Sequence, residues 1–347
     1  MLSIKTIQRW LSNNFHSLED QAVKIFVKSP FNFTLYHNLT LRGQVIPLPY
    51  LYSTTCWRCI IRTRSGKNVP THVSPSEDED QTHLVVRFLR DCTTNEKREL
   101  EESVRQAFCS ELDLLPFYQK ASKDANFLGV IKRLRGLKPY FSQDPFEALI
   151  KAVIRQLVRA DAARSSIAMV VLRFGTKDTI EGKSYHGFPS PEELSSATKN
   201  ELLECNVGYK WKLIKKLSCD VVSGDLDLYE LAGLSDEKII QRLTVYRGIG
   251  YWTSRIFLYD GLKRLNAYPI RDISIRKAIS LIYFQRKPIS WEEVELFFRD
   301  YKDFIGIATN YLFGALWLER SIQRIQMQDF NVRENSGQPI PQYSFCK

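Results

Sequence analysis

Apolar and polar positions alternate with a period of two early in the chain and recur at helical spacing later. Over residues 31–42 the odd positions are Phe31, Phe33, Leu35, His37, Leu39 and Leu41, and the even positions are Asn32, Thr34, Tyr36, Asn38, Thr40 and Arg42. That alternation predicts a half-buried strand, with His37 on the apolar face as a core histidine rather than a ligand. Residues 56–63 and 83–89 are two further predicted strands, and the polar, acidic stretch 74–81 between them predicts a loop. Past residue 95 the helical pattern takes over. Asp144-Pro145-Phe146-Glu147 combines an N-cap, a proline at the first helical position and a capping-box glutamate, and Ser190-Pro191-Glu192-Glu193 repeats that order. Thr198 with Glu201 and Ser290 with Glu293 are two more capping boxes. Apolar residues at 146, 149, 150, 153, 154, 157 and 158 form one helical stripe, and Gly175 is expected to end a helix over 162–174.

These elements predict an α+β chain: an antiparallel β-sheet domain over 30–95, then an all-α domain over 96–327. A partly helical N-terminal extension over 1–29 and a polar C-terminal tail over 328–347 complete it. A chain of 347 residues is long enough for two or three packed units.

Charge narrows the choice of partner. Lys and Arg number 49 against 39 Asp and Glu, a net charge of +10, which favours a polyanion. Many basic soluble proteins never touch nucleic acid, so charge alone does not decide. The seven cysteines are an odd number scattered through the chain, as in a reducing compartment rather than a disulfide scaffold. Cys56 and Cys59 form a CxxC without a second pair at zinc-ligand spacing, so they read as two strand cysteines. No apolar run approaches the roughly 20 residues of a membrane span. Arg9, Glu19 and Asp20 interrupt any signal-peptide pattern. The Asn38-Leu39-Thr40 sequon then has no consequence, and an intracellular protein with no membrane partner is expected.

The chemistry concentrates between Leu243 and Arg255. Two helical patterns, 235–243 and 252–262, flank Gly248-Ile249-Gly250. Glycines permit a tight turn, and the free N–H groups of the helix that follows can hold an anion. Any helical hairpin could contain one GxG, so the surrounding residues carry the weight. Leu243, Tyr246, Gly248, Ile249, Gly250, Trp252 and Thr253 together resemble the hairpin of the helix-hairpin-helix (HhH-GPD) DNA glycosylases. In that superfamily a catalytic aspartate lies in the loop about twenty residues beyond the hairpin. Here Tyr268-Pro269-Ile270-Arg271-Asp272 places Asp272 20 residues after Trp252. The helix after Asp144, the stretches 188–194 and 208–212, and the segment 304–317 resemble further parts of the family. The likeness covers roughly residues 110–320, and Pro30-Phe31-Asn32-Phe33 resembles its opening strand. Within the superfamily the chain is most similar to the AlkA-like 3-methyladenine DNA glycosylases.

The resemblance implies roles residue by residue. Asp272 would be the catalytic carboxylate; as a bare aspartate before a helix it could equally be an N-cap, and both can hold. Apart from the resemblance, Arg271 and Arg276 are near it in sequence and are expected to help keep it ionised. Leu157 matches the wedge that enters the base stack, although its place on the apolar stripe also suits the core. Trp252 and Phe304 match the walls of a base pocket, with core packing as the other reading of Phe304. Ile256 stands where the bacterial enzyme has a tyrosine, which leaves the range of bases open. Arg247, Gly248, Gly250 and Thr253 match phosphate contacts, and the carbonyls of Thr244, Tyr246 and Gly248 match positions that can hold a structural monovalent cation. Lys210, Lys212, Lys215 and Lys216 read either as a solvated face or as DNA contacts. No organic cofactor is expected. Only Cys346 lies where the iron–sulfur branch needs four cysteines, so no cluster is expected. Trp252 occupies the position of the lysine in bifunctional members.

The expected function is therefore monofunctional excision of alkylated purines from double-stranded DNA by a monomer. The alternatives are an oxidised-base glycosylase with AP-lyase activity, which needs an amine nucleophile, and a helix-hairpin-helix DNA-binding module without catalysis.

Overall fold

A computed structural model describes residues 22–35, 51–52, 56–76 and 82–319. Five strands form an antiparallel sheet in the order β1-β5-β4-β3-β2. They are β1 Ala22–Phe26, β2 Leu51–Tyr52, β3 Trp57–Arg62, β4 Asn68–Pro75 and β5 His83–Phe88. The alternation seen in the sequence of β3 and β5 is the alternation of their two faces. Trp57, Cys59, Ile61, Leu84, Val86 and Phe88 point inward, with Val69 and Val73 from β4. Helix α1, Thr94–Ala107, closes that side with Leu100, Val104 and Ala107. Its start is fixed by a capping box between Thr93 and Glu96. Cys59 is a free thiol of β3, and burial pushes it well above the usual thiol range.

Three expectations about the sheet change. The strand predicted to start at Phe31 does not form there, because residues 33–35 are helical. Phe31 and Phe33 are both buried, as alternation demanded, but their rings meet edge to face at 6.5 Å across a turn. The Asn32 side chain accepts from Leu35 N, a local bond that competes with strand geometry. The rest of that predicted strand, His37 included, lies outside the described residues. Secondly, the sheet begins before residue 30: β1 falls in the stretch read as a partly helical extension and pairs with β5 from Ala22 to Phe26. Thirdly, β4 runs to Pro75, through the start of the predicted loop. Its two prolines and its buried Thr71, whose hydroxyl donates to Val69 O, hide the alternation.

The helical domain has two cores on either side of one central helix. This is α4, Pro145–Arg155, preceded by α2, Leu115–Ala121, and α3, Ala125–Arg133. Every residue of α4 up to Ile154 is buried. One core joins α4 to α5, Ala160–Phe174, and to α6 Pro191–Ser196, α7 Lys199–Glu204, α8 Trp211–Ser223 and α9 Asp236–Thr244. The other joins α2 and α3 to α10 Tyr251–Ile256, α11 Ile273–Tyr283, α12 Trp291–Asp300 and a last helix, α13, described from 305 to 319. Capping boxes open α6, α7 and α12 at Ser190, Thr198 and Ser290 as predicted.

The domain is not purely α. Strands β6, Lys177–Ile180, and β7, Lys183–His186, form a hairpin whose second strand meets β3. Gly175 does end α5, but not as a left-handed cap: its φ is −77°. Glycine is required because a Cβ there would lie 2.3 Å from Gly187 O at the end of that hairpin. At α4, Asp144 caps Phe146 N and Glu147 N at 2.6 and 3.1 Å. Glu147 does not complete a capping box with Asp144. Its carboxylate takes Gln143 N at 3.2 Å and Lys151 Nζ at 3.1 Å, because a buried charge needs a charged partner.

On the outer sheet face Arg58, His72 and Arg87 stand in register on β3, β4 and β5. Burial lowers the His72 imidazole to about 4, helped by Arg87, Lys183 and Arg58. The folded protein then binds fewer protons than the unfolded chain between the ordinary 6.5 and about 4. His72 therefore contributes stability above that window that is lost as pH falls through it. Urea midpoints measured from pH 7 to 4 should drop more steeply for the wild type than for His72→Gln. Parallel pH curves would contradict this.

Candidate active site

Asp272 lies at the junction of two helices. It is the N-cap of α11, with Oδ1 accepting from Ser274 N at 2.7 Å. Its other oxygen, Oδ2, accepts from the indole Nε1 of Trp252 at 3.0 Å. The capping reading thus holds together with an orientation that points one oxygen at the hairpin helix. The chain between them follows α10, a π turn Phe257–Gly261 and a 3₁₀ turn Leu265–Ala267. Gly261 permits this path because a Cβ would press on the Phe257 ring at 2.9 Å and on Ala148 of α4 at 3.2 Å.

Asp260, in the π turn, ties this path to Ser142 and to the end of α4. It accepts from Ser142 N and Oγ at 2.7 and 2.9 Å and faces Arg155 at 3.7 Å. Burial alone would raise its carboxyl; Lys151, Arg155 and the Ser142 amide hold it below the usual range. Tyr268, buried beside Asp272, packs its ring on Tyr259 at 5.0 Å and Phe313 at 5.6 Å. Burial pushes its hydroxyl well up, with the Asp272 charge adding to it. Tyr268, Tyr259 and Phe313 were missed in the sequence, where they look like ordinary core aromatics.

The two arginines expected to serve Asp272 are engaged elsewhere. Arg271 pairs with Glu295 at 2.6 Å, and Arg276 stacks on Trp291 at 4.5 Å. Both sit on or beside α11, but the helix turns their side chains toward α12. Trp252 is half-buried in the same apolar cluster as Phe304. Ile256 is a core residue at 4% exposure, and Phe304 is half-buried against Phe117 at 5.8 Å.

Leu157 leaves the apolar stripe. Helix α4 ends at Arg155, and Leu157 lies just beyond with φ +53° and 95% exposure. A buried leucine contributes about 1.5–3 kcal/mol, which this one forgoes. A non-glycine residue in left-handed backbone costs roughly another 1–2 kcal/mol.

The hairpin turns at Gly248, whose φ is +104°. Arg247, Gly248 and Gly250 are exposed at its tip. Thr253 is buried, and its hydroxyl accepts from Gln156 Nε2 at 2.8 Å. The carbonyls of Tyr246 and Gly248 each accept one hydrogen bond, from Ile249 N at 2.9 Å and Gln156 Nε2 at 2.8 Å. Each keeps a second lone pair, which is compatible with a monovalent cation. No group of three or more His, Cys, Asp or Glu that could hold a metal occurs among the described residues.

Lys210 belongs neither to a solvated face nor to a DNA-facing one. It is buried and donates to Ile154 O at 2.6 Å. Lys215 donates to Ala197 O, Lys216 pairs with Asp220, and Lys212 lies against the Trp211 ring.

Residues 150–302 match the HhH-GPD superfamily base excision DNA repair protein family. A DNA-3-methyladenine glycosylase of Schizosaccharomyces pombe is 31% identical over 171 residues, covering 48% of this chain and 70% of that protein. The chain belongs to the HhH-GPD superfamily of base excision DNA repair proteins. Within it, a DNA-3-methyladenine glycosylase of Bacillus subtilis is 29% identical over 239 residues, 67% of this chain and 78% of that one. The solved 3-methyladenine DNA-glycosylase of Archaeoglobus fulgidus superposes with a TM-score of 0.74 at 25% identity, over 84% of this chain and 97% of its own.

Removing the cap has a cost independent of any reaction. Asp272→Ala should lower unfolding free energy by about 1 kcal/mol through the lost Ser274 bond. A urea midpoint equal to the wild type would contradict that capping role.

Proposed function

We propose that this DNA glycosylase flips alkylated purines of the 3-methyladenine class out of double-stranded DNA and hydrolyses their N-glycosidic bond, with Asp272 as the catalytic carboxylate. The observation that carries the reading is the Trp252–Asp272 hydrogen bond. It puts an aromatic face and a fixed carboxylate side by side, at the position where a lyase would need an amine.

Leaving of the base builds positive charge on the sugar. A carboxylate held by two N–H donors cannot swing away, and each oxygen retains a lone pair for the developing cation or for the attacking water. An alkylated purine is electron-poor and often cationic, so it stacks well on the Trp252 face. Such a base leaves readily and asks for no strong general acid. Leu157 fills the space the flipped nucleotide vacates. The hairpin tip, through Arg247 and the amides of Gly248, Gly250 and Thr253, holds a backbone phosphate. A single chain carries all of these parts, so a monomer suffices. No helix among the described residues is long and apolar enough to cross a membrane. The protein would act in whichever compartment holds the DNA.

Mass spectrometry of bases released from methylated duplex DNA tests this. The wild type should release alkylated purines, while Asp272→Asn should lose at least a hundredfold in rate and still bind the duplex. Borohydride should trap no covalent enzyme–DNA adduct. Equal activity of the mutant, or a trapped adduct, would overturn the assignment.

A further inference from the structure

Three consecutive residues ahead of Leu157 are each held from a different direction. The Ile154 carbonyl, at the C-terminal end of α4, accepts from the buried ammonium of Lys210 at 2.6 Å. The Arg155 guanidinium faces Asp260 of the π turn at 3.7 Å. The Gln156 side-chain NH₂ donates to Gly248 O and to Thr253 Oγ1, both at 2.8 Å. The Gly248 carbonyl can only accept, which fixes the amide with its nitrogen toward the hairpin. The next residue, Leu157, then has a fixed backbone and a free side chain.

The two acceptors of Gln156 belong to the hairpin turn and to the first turn of α10. They flank the amides that would meet a phosphate. They are also 92 and 97 residues away in the chain, so the contact exists only because α4 ends against the hairpin. An exposed leucine in left-handed backbone needs neighbours that hold it there. Water could satisfy the Ile154 carbonyl at the end of α4; the buried Lys210 does so instead.

We propose that Gln156 is a positioning residue that locks the Leu157 turn to the hairpin, so that phosphate capture and wedge insertion occur as one rigid movement. This rests on the reading of Leu157 as the wedge. The distance from the held phosphate to the base step entered by Leu157 is then set by two short hydrogen bonds. Without them the turn would have to be ordered anew at every encounter.

The full chain and a duplex with one 7-methylguanine beside 2-aminopurine test it, reading the fluorescence rise on unstacking and single-turnover base release. Gln156→Ala should slow both about tenfold, with duplex affinity within about twofold of wild type. Thr253→Val, which removes one of the two acceptors, should slow them about threefold. In the Leu157→Ala background, Gln156→Ala should add less than a twofold effect. Multiplying single-mutant effects, as a purely structural role would give, would overturn the proposal, as would an unaffected Gln156→Ala. If Leu157→Ala alone changes neither signal, the wedge reading falls and this proposal with it. If Leu157→Ala is slow and Gln156→Ala acts independently, the coupling alone is wrong.

Discussion

The indole of Trp252 donates to the Asp272 carboxylate, and much of the helical domain serves to keep those two residues together. They sit on different helices. The path between them bends through a π turn, which widens the helix by one residue and is found often at functional sites. That bend survives because Gly261 lets it lie against α4 and because Asp260 is buried with charged and hydrogen-bonding partners. A buried carboxylate without such partners would be strongly destabilising.

Helix α4 ties the site to the rest of the chain. Its first turn is pinned by Asp144, its body fills both helical cores, and its last residues meet Lys210, Asp260 and the hairpin. Whatever Leu157 and the hairpin do on DNA, they do from one rigid base. The net charge of +10, a property of the whole chain, favours a polyanionic partner.

Much of this was legible in the sequence. The capping boxes at Ser190, Thr198 and Ser290 and the glycine hairpin are local patterns whose partners lie within four residues, and β3 and β5 show as alternation along their own residues. The twenty-residue step to Asp272 became readable once the hairpin was seen as a family pattern. Other residues misled for the same physical reason. Glu147 has capping-box spacing but answers Lys151 and Gln143. Phe31 and Phe33 alternate like a strand but fill the core from a turn. Lys210 sits in a basic run but is drawn inside by a helix end. Arg271 and Arg276 are near Asp272 in sequence and turn toward Glu295 and Trp291.

Alone, the sequence determined where the turns, caps and amphipathic faces lie, and that an acid follows the hairpin at a set distance. Those properties depend on bonds a few residues long and on periodicity. Tertiary structure alone decided what each side chain meets: the indole on Asp272, the solvent around Leu157, the hairpin on Gln156, the core around Ile256. Those contacts join residues 20 to 97 positions apart or depend on where a helix stops, and packing rather than propensity sets both.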